Sequence, residues 1–187
     1  MTTLCTKLAT LAIGSGLVVG GFAGLASPAG AADSTTTFTL TAAGGLAVTA
    51  PATSPLGSVA TGASSTTPAQ LGIVAVSDGR GALLGAWTSS VASSDFTTGL
   101  ATANETIGKA NAGYWSGAAT ASSGTAVLLP GQALAANVQT LASSRTAFSA
   151  SAVVGNNTAS WNPTVNVNIP AASVAGAYSG TITHSVA

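Results

Sequence analysis

Few residues in this chain could do acid–base or nucleophilic chemistry. Only 4% of its 187 residues are charged, with four carboxylates and one histidine among them. General acid–base catalysis needs paired titratable groups whose pKa values are pushed apart. The carboxylates are Asp33, Asp78, Asp95 and Glu105. Asp78 lies in the Gly-rich run Asp78-Gly79-Arg80-Gly81, and Asp95 follows a Ser run; both positions suit turns. His184 falls on the apolar face of a predicted strand, which suits a core or interface role. No G-x-S-x-G elbow is present to raise a serine as nucleophile. A single histidine and no D-x-D-x-D-G loop leave no ligand set for zinc or calcium. The sequence therefore predicts no catalytic residue, no metal and no cofactor. Arg80, Lys109 and Arg145 are scattered, which argues against a nucleic-acid partner.

Aromatic side chains offer binding rather than chemistry. A flat ring can pack against the apolar face of a sugar or of a protein patch, and an indole N–H adds a polar handle. Tyr114 and Trp115 sit between Gly113 and Ser116-Gly117. In a strand, neighbours point to opposite faces, so one of the two is expected outside. Tyr114, Trp115 and Trp161, the last beside Asn162-Pro163, are the candidate ligand contacts; the alternative is a core role for each. Trp87, flanked by Leu84 and Val91, reads as core. Tyr178 follows the run Pro170–Ala177, where its hydroxyl could bond back to backbone as in a tyrosine corner.

The elements that would position these residues read as strands. Val165, Val167 and Ile169 alternate with Asn166 and Asn168. Tyr178, Ile182, His184 and Val186 share one face of the last segment, with Ser179, Thr181, Thr183 and Ser185 on the other. Phe148, Ala150, Ala152 and Val154 alternate with Ser149 and Ser151. Phe38 and Leu40 alternate with Thr37, Thr39 and Thr41. Leu71–Val76 is apolar at both parities, as in a strand covered on both sides. Turn signals fall at Ala43–Gly45, Asp78–Gly81, Leu129–Gln132 and Gly155–Asn157. Gly131–Ser143 could form a short helix, and residues 51–68 read as a loop or a split strand pair. The pattern predicts an all-β fold, a single Ig-like, Greek-key β-sandwich.

The N-terminus reads as a secretory signal peptide: Lys7, an apolar stretch from Leu8 to Ala26, then Ser27-Pro28-Ala29-Gly30-Ala31. Ala29 and Ala31 fit the −3 and −1 positions, so cleavage is expected after Ala31. This gives a signal peptide over 1–31 and one domain over 32–187. Cys5, the one cysteine, lies in the segment to be removed. No second long apolar run follows, so no membrane span is expected in the mature protein.

Two segments resemble motifs of WxL-domain proteins, surface proteins of Gram-positive bacteria. Asp78-Gly79-Arg80-Gly81, followed by Trp87, is similar to the family's D-x-R-G turn leading into a Trp-x-Leu strand. Tyr178-Ser179-Gly180-Thr181-Ile182-Thr183-His184 is similar to its distal Y-x-G-x-[LIV]-T-W motif. Ser89 stands where the first motif has Leu, His184 where the second has Trp, and Val186 where a Leu follows it. The Ala/Gly/Thr-rich style looks like that of secreted actinobacterial proteins. The resemblance implies mostly structural roles for Asp78, Arg80, Gly81, Trp87, Tyr178, Gly180 and His184. It also implies noncovalent attachment to peptidoglycan. The expected function is thus that of a non-catalytic, secreted, cell-wall-associated protein. Its expected partner is cell-wall polysaccharide or another surface protein. The alternative is a structural protein that associates with itself, since charge, the usual guard on strand edges, is nearly absent.

Overall fold

The computed structural model describes residues 37–187. The chain divides into two units, residues 1–38 and 39–187, and the fold belongs to the second. The predicted signal peptide lies outside the described residues.

Eleven strands follow in order: β1 (Leu46–Thr49), β2 (Ala69–Gln70), β3 (Val74–Ser93), β4 (Phe96–Thr97), β5 (Thr106–Ile107), β6 (Ala112–Trp115), β7 (Ala119–Pro130), β8 (Gln139–Thr140), β9 (Arg145–Trp161), β10 (Thr164–Val167) and β11 (Ile182–Val186). One sheet has the order β1-β3-β9-β7, with β11 also on β3; a second has the order β2-β10-β6-β8; β4 and β5 pair alone. All pairs are antiparallel. Apart from the β4–β5 pair, successive strands alternate between the two sheets, so no strand of either sheet pairs with its neighbour in sequence. The fold is an all-β sandwich, as the alternation predicts.

The core lies between the sheets. The first sheet contributes Val74, Val76, Trp87, Val91, Phe148, Val153 and Trp161; the second contributes Ala112, Tyr114, Val165 and Val167. Phe148 and Trp161 stack at 4.8 Å with 20° between planes. Rings of this size dominate a small core through the apolar area that they remove from water.

Two predicted turns are something else. Asp78–Gly81 and Gly155–Asn157 lie inside β3 and β9, where Asp78 pairs with Asn157 and Ala82 with Gly155. The pairing shift inserts two extra residues in β3, and Gly81 takes φ +63° there. Glycine permits that conformation without steric cost, so the Gly-rich run bulges a strand instead of reversing it. A second bulge centres on Leu84 (φ 58°) and a third on Ala152 (φ 51°). Leu84 and Ala152 hold a left-handed conformation that costs a side-chain residue about 1 kcal/mol. The Ala152 bulge breaks the predicted alternation: Phe148, Ala150 and Val153 are buried, whereas Ala152 and Val154 are exposed.

Three further expectations are corrected. Ile73 is about half exposed, so residues 71–76 are covered on one face only. Residues 37–43 belong to no strand, Gly44 and Gly45 bond to the Gly79 backbone, and Phe38 and Leu40 are 89% and 90% exposed. Gly131–Ser143 holds one 3-10 turn, Ala135–Asn137, and the short β8 instead of an α-helix. Residues 51–68, by contrast, form the loop that is one of their two expected readings, with one bridge, Ser65 to Asn168.

Truncating the stacked pair should show where stability resides. Phe148→Ala is expected to cost about 3–5 kcal/mol in denaturant unfolding. Val127→Ala, on the exposed face of β7, should stay within about 0.5 kcal/mol.

Candidate functional site

The predicted turn residue Asp78 is the best-held charge in the protein. Its side chain is fully covered and pairs with Arg80. Arg80 donates from Nε to Oδ1 at 2.9 Å, from Nη2 to Oδ2 at 2.9 Å, and from its backbone N–H to Oδ1 at 3.1 Å. The Arg80 side-chain bonds are the chief reason that the Asp78 carboxyl is held at about 2; they outweigh desolvation, which pushes the other way. Arg80 Nη2 also reaches the Ala86 carbonyl at 2.8 Å. The guanidinium thereby spans the stretch of β3 between its pairing with β1 and its pairing with β11. Trp87 is buried and donates its indole N–H to Asn157 Oδ1 at 3.1 Å.

The second motif lies beside the first. β11 runs along β3 with His184 opposite Val91 and Val186 opposite Ser89. Tyr178 donates its hydroxyl to the Val174 carbonyl at 2.9 Å and lies 3.2 Å from the Asn104 carbonyl. It ties the corner before β11 to backbone, as its sequence position suggests. Gly180 makes room for a ring: a Cβ there would lie 2.7 Å from Phe96 Cδ1.

Two of the three candidate ligand contacts turn inward. Tyr114 and Trp161 are fully buried, so neither offers a ring face to a ligand arriving from solvent. They build a polar thread through the core instead. Trp161 Nε1 donates to the Tyr114 hydroxyl at 3.4 Å, and that hydroxyl lies 3.2 Å from His184 Nε2. The Tyr114 hydroxyl thus links the indole of one strand to the imidazole of another. His184 Nδ1 is buried and has no partner. Burial lowers the His184 pKa to about 4, and burial likewise raises that of Tyr114.

Trp115 faces the other way. It is partly exposed between the buried Tyr114 and Ser116. Its cross-strand row on the outer face of the second sheet is Gln70–Thr164–Trp115. The next row is Asn166–Gly113–Thr140. Asn162 Nδ2 donates to Gln70 Oε1 at 3.0 Å and holds that amide in place. A Cβ on Gly113 would lie 2.5 Å from Asn166 Oδ1, so glycine lets the Asn166 amide lie across β6. The result is a face with an indole beside amides and hydroxyls, with Arg145 at its β8 end, where Nε donates to the Thr140 carbonyl at 3.1 Å. Sequence reasoning singled out Trp115 but not Gln70, Thr164 or Asn166; these emerge only once the register is known.

The other polar features carry structure. Glu105 caps the 3-10 turn by accepting from the Thr102 N–H at 3.0 Å and its hydroxyl at 2.7 Å, and these bonds lower its pKa. Asp95 Oδ1 accepts the Lys109 N–H at 2.7 Å. A shallow depression of about 540 Å³ lies over Gly44–Ala47, Ser77–Gly79 and Asn156–Thr158. Its one titratable group is the paired Asp78. Among the described residues, no three His, Cys, Asp or Glu side chains gather as metal ligands.

The buried imidazole makes stability depend on pH. Its folded pKa, about 4, lies below the ordinary 6.5. Neutral His184 therefore contributes fully above pH 6.5, and the contribution falls as pH drops from 6.5 towards 4, by about 3 kcal/mol in all. Melting temperatures measured across this window should fall with acid, and His184→Gln should flatten that part of the profile.

Comparison with family models, curated proteins and solved structures gives no match to this chain.

Proposed function

We propose that the protein is a non-catalytic, secreted surface module that binds cell-wall glycan noncovalently through the outer face of the second sheet. The observation that carries this reading is Trp115, turned outward in a row with Gln70 and Thr164 and next to Asn166. An indole packs against the C–H face of a pyranose, and amides and hydroxyls beside it match sugar hydroxyls. An open sheet face suits an extended polymer better than a small molecule, which would call for an enclosing cavity.

The non-catalytic part rests on the carboxylates. Asp78, Asp95 and Glu105 each hold neighbouring backbone or side-chain donors. Secretion rests on the signal-peptide pattern of residues 1–31. Attachment to the wall draws further support from the WxL-like motifs, although His184 stands where that family has a Trp.

The test is sedimentation with purified cell-wall sacculi against an unrelated soluble β-sandwich. The expected result is saturable binding that Trp115→Ala weakens about tenfold, equivalent to about 1.4 kcal/mol. Trp115→Phe should keep part of it. Binding no greater than that of the control would overturn the reading.

A further inference from the structure

Apolar surface is left open at several other places, two of which have the form of strands. The first is the arm ahead of β1. Thr37-Phe38-Thr39-Leu40-Thr41 has the alternation of a strand, yet it is unpaired, with Phe38 and Leu40 about nine-tenths exposed. The second is β7. It is the last strand of its sheet, so one edge of its 12 residues lacks a strand partner. Val127 and Leu129 stand more than half exposed there, while Ala126 and Leu128 are partly buried against the core.

The two are complementary. Each is an uncharged strand sequence, so pairing them strips no charge of its water. The arm supplies alternate apolar side chains, and β7 supplies a free ladder with a core rim still open beside it. The second sheet ends in β2 and β8, each only two residues long, too short to template a strand. The stretch of β3 between β1 and β11 is spanned by Arg80 through the Ala86 carbonyl. β1 and β11, the other edge strands of the first sheet, have four and five residues, so β7 with twelve is the longest open edge among the described residues.

We propose that residues 37–41 of one copy add as a strand to the β7 edge of a second copy. Arm and edge are different surfaces, so the contact is heterologous: each copy gives one arm and receives another. Such contacts propagate head to tail unless the rotation closes a ring. The main-chain ladder supplies the pairing, and Phe38 and Leu40 supply the side-chain contact. This inference is independent of the glycan-binding face, which lies on the other sheet.

The test uses the whole chain, purified from an expressing bacterium, and sedimentation velocity over a range of concentrations. Wild type is expected to grow beyond two copies as concentration rises. Phe38→Ser with Leu40→Ser removes the arm's side chains. Val127→Lys with Leu129→Lys places charge on the receiving edge. Each variant alone should sediment as a single copy, and an equal mixture should form two-copy complexes, because one intact arm then meets one intact edge. Thr125→Lys, on the same strand, replaces the edge variant if that protein fails to melt cooperatively. Trp115→Ala should assemble as wild type does. A wild type that stays a single copy at every concentration would overturn the proposal. So would an arm variant that assembles unchanged, which means that edges pair with edges, or a mixture that stays monomeric.

Discussion

A strand of twenty residues cannot keep one face in a core unless its pleat stays in phase, and β3 does not stay in phase. Its buried residues run at even positions through Val74, Val76 and Asp78, and at odd positions through Trp87, Ser89 and Val91. The bulges between Asp78 and Trp87 make the change. Extra residues there would leave backbone groups unpaired, at a cost comparable to lost hydrogen bonds. Asp78 and Arg80 absorb much of this: the carboxylate takes the Arg80 N–H, and the guanidinium takes the Ala86 carbonyl. Asn157, opposite Asp78 on β9, fixes the Trp87 indole. The ion pair thus braces the bulged stretch, and the single extra residue Leu84 makes the change of phase.

That phase change dictates the rest. β1 packs on the first half of β3, and β11 on the second half, with His184 on the inward side. His184 then meets Tyr114 from the opposite sheet, and Tyr114 meets Trp161 from β9. The aromatic thread joins the two layers through hydrogen bonds, whereas most of the core relies on apolar contact alone. Polar groups placed this deep favour one arrangement of the layers over others that would strand them without partners. With Tyr114 committed inward, the pleat leaves Trp115 outside. The inner network and the outer face are two sides of one strand.

Much of this was legible in the sequence, and the misreadings have physical causes. The strands around Val165–Ile169 and Ile182–Val186 show clean alternation because one side faces the core throughout. Trp87 and Tyr178 take their expected places for the same local reasons. Asp78–Gly81 and Gly155–Asn157 misled because a bulge and a tight turn use the same residues: both need glycine or asparagine where φ is positive or the chain bends. Only the partner strand distinguishes them. The fate of the rings was half legible. That Tyr114 and Trp115 would part company follows from the pleat, but which would be buried depends on Val165 across the sheet. Trp161 looked peripheral beside Asn162-Pro163, yet it stacks on Phe148 from its own strand, across the Ala152 bulge.

The alternation of strands between the layers has a kinetic consequence. Because β4–β5 is the one pair of consecutive strands, almost no ladder can form from a local hairpin. Ser90 and Ser185, joined through their hydroxyls, are 95 residues apart in the chain. Bringing such distant segments together costs loop-closure entropy before any contact is gained, and folds of high contact order form over milliseconds to seconds rather than microseconds. The ladders that β3 makes with β9 and β11 cannot form until those strands have been made. A fold whose ladders close this late in the chain depends on its last strands as much as on its first.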